Sequence, residues 1–154
     1  MKCAIVTGGS RGIGRAICIK LAEEKSYHIL INYASNEAAA KETLAKVEEL
    51  GSTGEILKFD VGNTEETQQV LTAWQEKNPE AVVEVIVNNA GITRDGLFMW
   101  MQKEDWNNVI NTSLDGFFNV TNFFIQKLLR NKYGRIINMV SVSGVKGTAG
   151  QTNY

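Results

Sequence analysis

The residue pattern with the clearest chemistry is a glycine-rich run, T-G-G-S-R-G-I-G at residues 7–14, which follows the apolar segment 3–6. A buried strand that turns through glycines into a helix presents backbone N–H groups and the positive end of the helix dipole to phosphate oxygens. Gly8 permits the tight turn, Gly12 lets the backbone approach a phosphate, and Gly14 lets the helix lie close to its strand. Such turns also serve as plain connectors, so their setting decides the interpretation. The residues predicted to bind a pyrophosphate are Gly8, Ser10, Arg11, Gly12, Ile13 and Gly14.

The elements that would position this run alternate between strand and helix. Short apolar runs without strict alternation predict five strands covered on both faces, at residues 4–6, 29–31, 56–59, 82–87 and 136–140. Helical spacing predicts helices at residues 12–25, 36–50, 64–77, 103–111 and 114–131. Asn36 and Thr64 are the expected N-caps. The order favours an α/β fold, a doubly wound parallel sheet with helices on both faces.

The composition excludes some classes of function. With 154 residues, 44% of them hydrophobic, and a formal net charge of -1, the chain is expected to form a single globular domain over residues 1–154. The net charge argues against nucleic acid as a partner, since an excess of basic residues is needed to neutralise phosphates. No apolar run approaches the roughly 18 residues of a membrane span. Met1 leads straight into the first strand without a secretion signal, so we expect a cytoplasmic protein.

The cysteines and the histidine do not indicate a disulfide or a metal site. Cys3 falls in the first predicted strand and Cys18 in the first predicted helix, where both are expected to be buried as small apolar side chains. His28 stands alone, with no cluster of Cys or His residues around it. We therefore expect no bound metal.

The last predicted helix is apolar on nearly every side. The residues placed on one broad face are Leu114, Phe117, Phe118, Thr121, Ile125, Leu128 and Leu129, and Val120, Phe123 and Phe124 widen it. Two interpretations stay open. The helix is either buried in the core, or it lies with one face on the sheet and another on a second subunit.

Further motifs follow the third and fourth predicted strands. They are D-V at residues 60–61, N-N-A-G at residues 88–91, and Ser141 placed thirteen residues before Tyr154. Together with the spacing T-G-x-x-x-G-x-G, they resemble the short-chain dehydrogenase/reductases along the whole chain. Within that family, the segments N-N-A-G-I-T-R-D at 88–95 and G-Q-T-N-Y at 150–154 are most similar to the 3-oxoacyl-carrier-protein reductases.

The resemblance implies catalytic roles for three residues. Tyr154 would donate a proton to a carbonyl oxygen, and Ser141 would hydrogen-bond the same oxygen. Family members lower the pKa of the tyrosine with a lysine four residues later, a position beyond this sequence. Ser113 stands where the family usually has an asparagine in a T-N-L-x-G segment. It would bind a proton-relay water more weakly than that asparagine.

The resemblance also implies a nicotinamide dinucleotide, and the residues after the second strand favour NADP(H). Enzymes of this fold that prefer NAD commonly have an acidic residue there. Asn32, Ala34 and Ser35 occupy this place, and Arg11 offers a positive partner for a 2′-phosphate. The other residues expected along the cofactor are Asp60 and Val61 at the adenine, Asn88, Asn89, Ala90 and Gly91 toward the nicotinamide, and Tyr154.

The activity implied is NADPH-dependent reduction of 3-oxoacyl thioesters, carried by acyl carrier protein, to 3-hydroxyacyl thioesters in fatty acid synthesis. The resemblance also implies a homo-oligomer, a homotetramer. Arg130, Lys132 and Arg135 form either a solvated helix end or a contact for an acidic carrier protein. Two alternatives stay open: an acetoacetyl-CoA reductase, and a nucleotide-binding protein without catalytic activity, which Ser113 favours.

The family's fold continues past the tyrosine with the lysine-bearing helix, two more strands and a loop that covers the substrate. We therefore expect these 154 residues to be part of a longer enzyme whose C-terminal part follows Tyr154. The isolated chain is expected to be inactive, because loss of a tuned acid–base group costs on the order of 10²- to 10⁴-fold in rate.

Overall fold

The computed structural model describes residues 1–24 and 26–154. Its five strands are β1 Lys2–Val6, β2 His28–Tyr33, β3 Thr53–Lys58, β4 Val82–Asn88 and β5 Arg135–Asn138. They form one sheet in the order β3-β2-β1-β4-β5, and each neighbouring pair is parallel. The predicted parallel α/β sheet of the Rossmann type is confirmed. The strand order reverses direction at β1, where the carboxyl ends of β1 and β4 leave a crevice for a ligand.

The helices follow the predicted order with small differences at their ends. They are α1 Gly12–Glu23, α2 Glu37–Glu49, α3 Thr64–Lys77, α4 Lys103–Ile110, α5 Gly116–Asn131 and α6 Ser143–Lys146. A 3₁₀ turn, Phe98–Trp100, precedes α4, and a π-helical turn, Asn111–Asp115, joins α4 to α5. Residue 25, the predicted end of the first helix, lies outside the described residues.

The N-caps bear out one prediction and correct the other. The Asn36 side chain accepts a hydrogen bond from the Ala39 N–H at 2.9 Å, as expected for an N-cap. At α3 the cap is Asn63 rather than Thr64. Asn63 accepts from the backbone of Glu66, while the Thr64 hydroxyl donates to Asn119 on α5 instead.

Helices cover both faces of the sheet. The buried side chains that α1 and α2 place on one face include Cys18, Ala22 and Val47. Those that α3 and α5 place on the other face include Leu71, Trp74, Val120, Phe124 and Leu128. Two apolar cores thereby fix the sheet, and its carboxyl edge carries the glycine-rich turn, the 88–91 segment and the residues after β5.

Both cysteines are free and fully buried, as predicted. Burial raises the pKa of Cys3 to about 11 and the pKa of Cys18 to about 12, because an apolar surrounding disfavours the charged thiolate. Both thiols therefore stay protonated near neutral pH and serve as packing groups.

The two edge strands depart from the predicted coverage on both faces. In β5, Ile136 and Ile137 are 38% and 45% exposed, and in β3 the residues between its ends are mostly half-buried. Both strands lie at the edges of the described sheet. The apolar residues of a strand indicate that it favours burial, but they do not show whether a helix covers it. The prediction that both faces are covered is therefore wrong for these two strands in the described chain.

The buried face of helix α5 also differs from the predicted one. Its buried residues Val120, Phe124 and Leu128 follow a spacing of four, which places them on one side. Leu129 and Phe118, which were grouped with Leu128, are 69% and 59% exposed. A fully buried core helix is therefore wrong for the described chain, and the contact with a second subunit stays a prediction. Among the described residues, none of the helices combines the length and apolar character needed to cross a bilayer.

Candidate active site

The glycine-rich run forms a tight turn between β1 and α1. Gly8 and Gly12 have φ angles of +62° and +56°, which residues with a side chain rarely adopt. A Cβ at Gly12 would meet no atom within 4 Å, so this part of the turn faces open space. At Gly14, a Cβ would overlap the Gly8 carbonyl oxygen and stand 2.7 Å from the Asn89 side-chain nitrogen. The close approach of α1 therefore depends on Gly14.

Thr7 and Asn89 tie this turn to the segment after β4. The Thr7 Oγ1 accepts hydrogen bonds from the backbone N–H groups of Asn89 and Ala90, both at 2.9 Å. The side-chain nitrogen Nδ2 of Asn89 donates to the Thr7 carbonyl oxygen at 2.9 Å. Because Thr7 is 1% exposed, these bonds form in a dry setting where their loss would be costly. The two loops that border the crevice are held as one unit.

Asn32, predicted to bind the cofactor, uses its side chain within the protein. Its Oδ1 accepts from the Gly8 N–H at 3.1 Å, and its Nδ2 donates to the Phe59 carbonyl at 2.9 Å. The residue is 2% exposed and joins the glycine-rich turn to the end of β3. Asn32 therefore forms the floor of the crevice and supports the turn.

Replacing Asn32 with leucine is expected to lower the free energy of unfolding by about 1–3 kcal/mol, because the Gly8 N–H and the Phe59 carbonyl lose their partner. Urea unfolding measures this change. Ser35→Ala, which removes an exposed hydroxyl two residues after β2, is the control and should change stability by less than about 0.5 kcal/mol. Equal stability of the two variants would contradict the supporting role of Asn32.

A cleft of about 470 Å³ opens above the glycine-rich turn. The predicted cofactor residues that line it are Gly8, Ser10, Arg11, Gly12, Ile13, Gly14, Asn32, Ala34, Ser35, Asp60, Val61, Asn89, Ala90 and Gly91. This volume, the positive-φ glycines and the first N–H groups of α1 fit the phosphates of a dinucleotide. Asp60 accepts a hydrogen bond from the Gly62 N–H at 2.9 Å, which holds the loop after β3.

A second cavity of about 480 Å³ adjoins the first. Ser113, Ser141 and Tyr154, the three residues with implied catalytic roles, all line it. The residues that line both cavities are Ile13, Val61, Asn89, Ala90, Gly91 and Thr112. The structure thus places a candidate proton donor and two further hydroxyls next to the end of the first cleft, which is called the nucleotide cleft below.

Asn88 and Tyr154 are the two predicted cofactor residues that line the second cavity and not the first. The Asn88 Nδ2 donates to Thr121 Oγ1 at 3.0 Å and to Asn138 Oδ1 at 2.9 Å. Asn88 therefore joins β4 to α5 and β5, and these bonds favour a supporting role in the wall of the cavity.

Tyr154 is held by the residues before it. The buried Asn153 donates to the Arg94 carbonyl at 2.9 Å, Gln151 donates to Asp95 at 3.0 Å, and the Gly96 N–H donates to the Gly150 carbonyl at 2.8 Å. The Tyr154 side chain is 42% exposed. The segment that carries the tyrosine is therefore docked on the loop after β4.

The π-helical turn between α4 and α5 places Ser113 on the second cavity. An insertion of this kind turns the helix locally, and such turns are frequent at functional sites. Asn111, two residues earlier, is exposed, and it is absent from the lining of the second cavity. Asn111 is thus not brought to the cavity.

Sequence reasoning missed two contributors to the site. Thr7 was read as part of the glycine pattern without a role for its hydroxyl, and Thr112, which lines both cavities, was not considered. A buried threonine at the end of an otherwise apolar strand is a signal for the first, because its hydroxyl needs partners. No comparable signal in the sequence marks Thr112.

Comparison with known proteins places the chain in a family. A family model described as short chain dehydrogenase matches residues 2–154. A 3-oxoacyl-(acyl-carrier-protein) reductase of Staphylococcus aureus (strain N315) is 39% identical over 153 residues, which cover 99% of this chain and 61% of that protein. The protein of the same name from Synechocystis sp. is 40% identical over 151 residues, 98% of this chain and 60% of that protein. The chain thus spans about three-fifths of the length of these relatives. On the glycine-rich turn, the parallel sheet and these matches, the chain belongs to the short-chain dehydrogenase family.

Proposed function

We propose that the protein reduces 3-oxoacyl thioesters, carried by acyl carrier protein, to 3-hydroxyacyl thioesters with NADPH, as a step of fatty acid synthesis. The observation that carries the proposal is the meeting of Ser113, Ser141 and Tyr154 around one cavity that adjoins the nucleotide cleft. The names of the similar proteins support the substrate class.

The chemistry divides between the cofactor and the side chains. A nicotinamide bound along the 88–91 segment would supply a hydride to the carbonyl carbon. Tyr154 gives its phenol proton to the carbonyl oxygen as the negative charge develops there. Ser141 accepts a hydrogen bond from the Ser143 N–H at 3.2 Å, so its hydroxyl proton is available to donate to the same oxygen. Two donors on one oxygen stabilise the developing alkoxide.

Ser113 occupies the position from which a bound water would return a proton to Tyr154 after the reduction. It lines the cavity that contains Tyr154, and a hydroxyl both donates and accepts one hydrogen bond to water. A serine reaches less far than an asparagine, so the water it holds is less firmly placed. A catalytically inactive nucleotide-binding protein is the second candidate function, because Ser113 differs from the family pattern.

The cofactor proposal is NADPH rather than NADH. Ala34 and Ser35 line the cleft where NAD-preferring enzymes have an acid. Glu37, the first carboxylate after β2, forms an ion pair with Lys41 at 2.6 Å. Arg11 lines the same cleft and supplies a positive charge for a 2′-phosphate.

An Ala34→Asp variant is expected to bind NADPH about tenfold or more weakly, because a carboxylate near the 2′-phosphate costs about 1.4 kcal/mol or more. Affinity for NADH should stay the same or rise. The matched control is Ala34→Asn, which has the same shape without the charge. Dissociation constants from cofactor fluorescence test this, and an equal loss for both cofactors in Ala34→Asp would contradict the NADPH assignment.

The basic residues that could contact a carrier protein lie far from the second cavity. Helix α5 begins beside the second cavity at Gly116, and its 16 residues extend about 24 Å at 1.5 Å per residue. Arg130, Lys132 and Arg135 therefore lie at the opposite end of the helix from the cavity. A carrier docked there would need to reach the cavity with an extended thioester arm.

The test compares acetoacetyl-carrier protein with acetoacetyl-CoA as substrates of the enzyme made from the complete gene. The proposal predicts NADPH oxidation with both and a higher kcat/KM for the carrier-bound substrate, a preference that falls with added salt because exposed charges are screened. A higher kcat/KM for the CoA thioester would favour an acetoacetyl-CoA reductase. Cofactor binding without turnover of either substrate would favour the inactive alternative.

A further inference from the structure

The carbonyl oxygen of Ser10, in the middle of the glycine-rich turn, lies within hydrogen-bond distance of three donor atoms from outside the turn. Arg15 donates to it through Nη2 at 2.8 Å, and the Arg15 Nε, whose single proton is shared with the Thr43 oxygen, lies 3.2 Å from it. The Thr43 hydroxyl of α2 lies 2.9 Å from the same oxygen. The carbonyl therefore faces α2 and not the nucleotide cleft.

This orientation fixes the direction of the next N–H group. A peptide unit is planar and trans, so its C=O and N–H point in opposite directions. With the Ser10 carbonyl turned toward α2, the Arg11 N–H is directed to the other side of the turn, away from α2. A flip of this peptide would instead turn a carbonyl oxygen toward the place of the pyrophosphate, where it would repel phosphate oxygens.

The Thr43 hydroxyl can donate its proton to the Ser10 carbonyl because the other nearby carbonyl, that of Ala39, has a second donor. Thr43 is fully buried, and its oxygen accepts from Arg15 Nε at 2.9 Å. Its single proton can go to the Ser10 carbonyl at 2.9 Å or to the Ala39 carbonyl at 3.1 Å. Since Ala39 also accepts from Arg15 Nη2 at 3.0 Å, that carbonyl keeps a donor when Thr43 bonds Ser10.

Arg15 completes a connection between three elements. It is anchored by an ion pair with Glu42 of α2 at 3.0 Å, and its side chain is 23% exposed. Its guanidinium thus links α1, the glycine-rich turn and α2, and it places a positive charge behind the turn. Charge-assisted hydrogen bonds of this kind are stronger than neutral ones.

We propose that Thr43 and Arg15 are positioning residues for the pyrophosphate of the dinucleotide, acting by holding the Ser10–Arg11 peptide in its phosphate-binding orientation. The inference rests on the dinucleotide-binding part of the proposed function and not on the reduction. Neither residue lines the nucleotide cleft, so their effect on affinity would be indirect.

The test uses two ligands that differ in the pyrophosphate. 2′-Phospho-ADP-ribose contains it, whereas adenosine 2′-monophosphate keeps the adenine and the 2′-phosphate without it. In Thr43→Val, which has the same shape without the hydroxyl, 2′-phospho-ADP-ribose is expected to bind roughly fivefold more weakly, the effect of about one hydrogen bond. Adenosine 2′-monophosphate should bind as to the wild type. Thr43→Ser retains the hydroxyl and should restore the affinity.

Calorimetric titration of the protein made from the complete gene gives both constants. An equal loss for the two ligands, no loss for either, or failure of Thr43→Ser to restore binding would overturn the proposal. If Thr43→Val does not fold, Arg15→Gln supplies the same comparison, with the same selective loss expected. A wild type that binds 2′-phospho-ADP-ribose but reduces no thioester would contradict the proposed reduction alone.

Discussion

Replacing Tyr154 with phenylalanine is expected to lower kcat for reduction of an acetoacetyl thioester by about 10²- to 10⁴-fold, because the proton donor of the proposed reaction is lost. The aromatic ring remains, so the shape of the cavity is retained. Tyr154 lines the second cavity and not the nucleotide cleft. The dissociation constant of NADPH should therefore change far less than kcat.

The measurement is a steady-state assay of the enzyme made from the complete gene, with NADPH binding followed separately by fluorescence. Tyr133→Phe is the matched control, since Tyr133 is 45% exposed and lies before β5, away from the cavity. Its kcat should equal that of the wild type. A Tyr154→Phe enzyme with wild-type kcat would remove Tyr154 from the mechanism.

Replacing Gly14 with alanine is expected to impair both folding stability and cofactor binding. The new Cβ would overlap the Gly8 carbonyl oxygen and crowd the Asn89 side chain, so α1 and the turn must separate. Overpacking of this kind costs about 1–3 kcal/mol of stability. Because the displaced N–H groups are those proposed to bind phosphate, the NADPH dissociation constant should rise by about tenfold or more, about 1.4 kcal/mol.

Urea unfolding and NADPH titration of Gly14→Ala measure the two effects. The control is Gly96→Ala, a change of the same size at a position where an added Cβ meets no atom within 4 Å. It should leave both quantities close to the wild-type values. Normal stability and normal NADPH affinity in Gly14→Ala would contradict the close packing of α1 on the glycine-rich turn.

Much of the architecture could be predicted because its signals are local. The run of apolar residues in β1, the glycines that follow and the helical spacing after them specify one βα unit from adjacent residues. Repetition of that pattern predicts the parallel sheet. The meeting of Ser113, Ser141 and Tyr154 was implied by resemblance to a family, since residues so far apart in the chain carry no local signal of contact.

The remaining features depend on contacts between distant elements. Asn32 supports the turn because Gly8 and Phe59 approach it in space, and its position directly after the predicted strand 29–31 gives no hint of this. Phe118 and Leu129 read as core residues by their apolar character, yet both are mostly exposed in the described chain. The N-cap of α3 is Asn63 and not the predicted Thr64, whose hydroxyl donates to Asn119 of α5 instead.

The most direct test of the central claim follows the hydride itself. NADPH deuterated at C4 of the nicotinamide, on each face in turn, is incubated with acetoacetyl-carrier protein and the enzyme made from the complete gene, and the product is analysed by mass spectrometry. The account predicts a 3-hydroxybutyryl thioester that carries deuterium at C3 from one of the two faces, with the product lost in Tyr154→Phe. NADPH binding without any labelled 3-hydroxy product would contradict it.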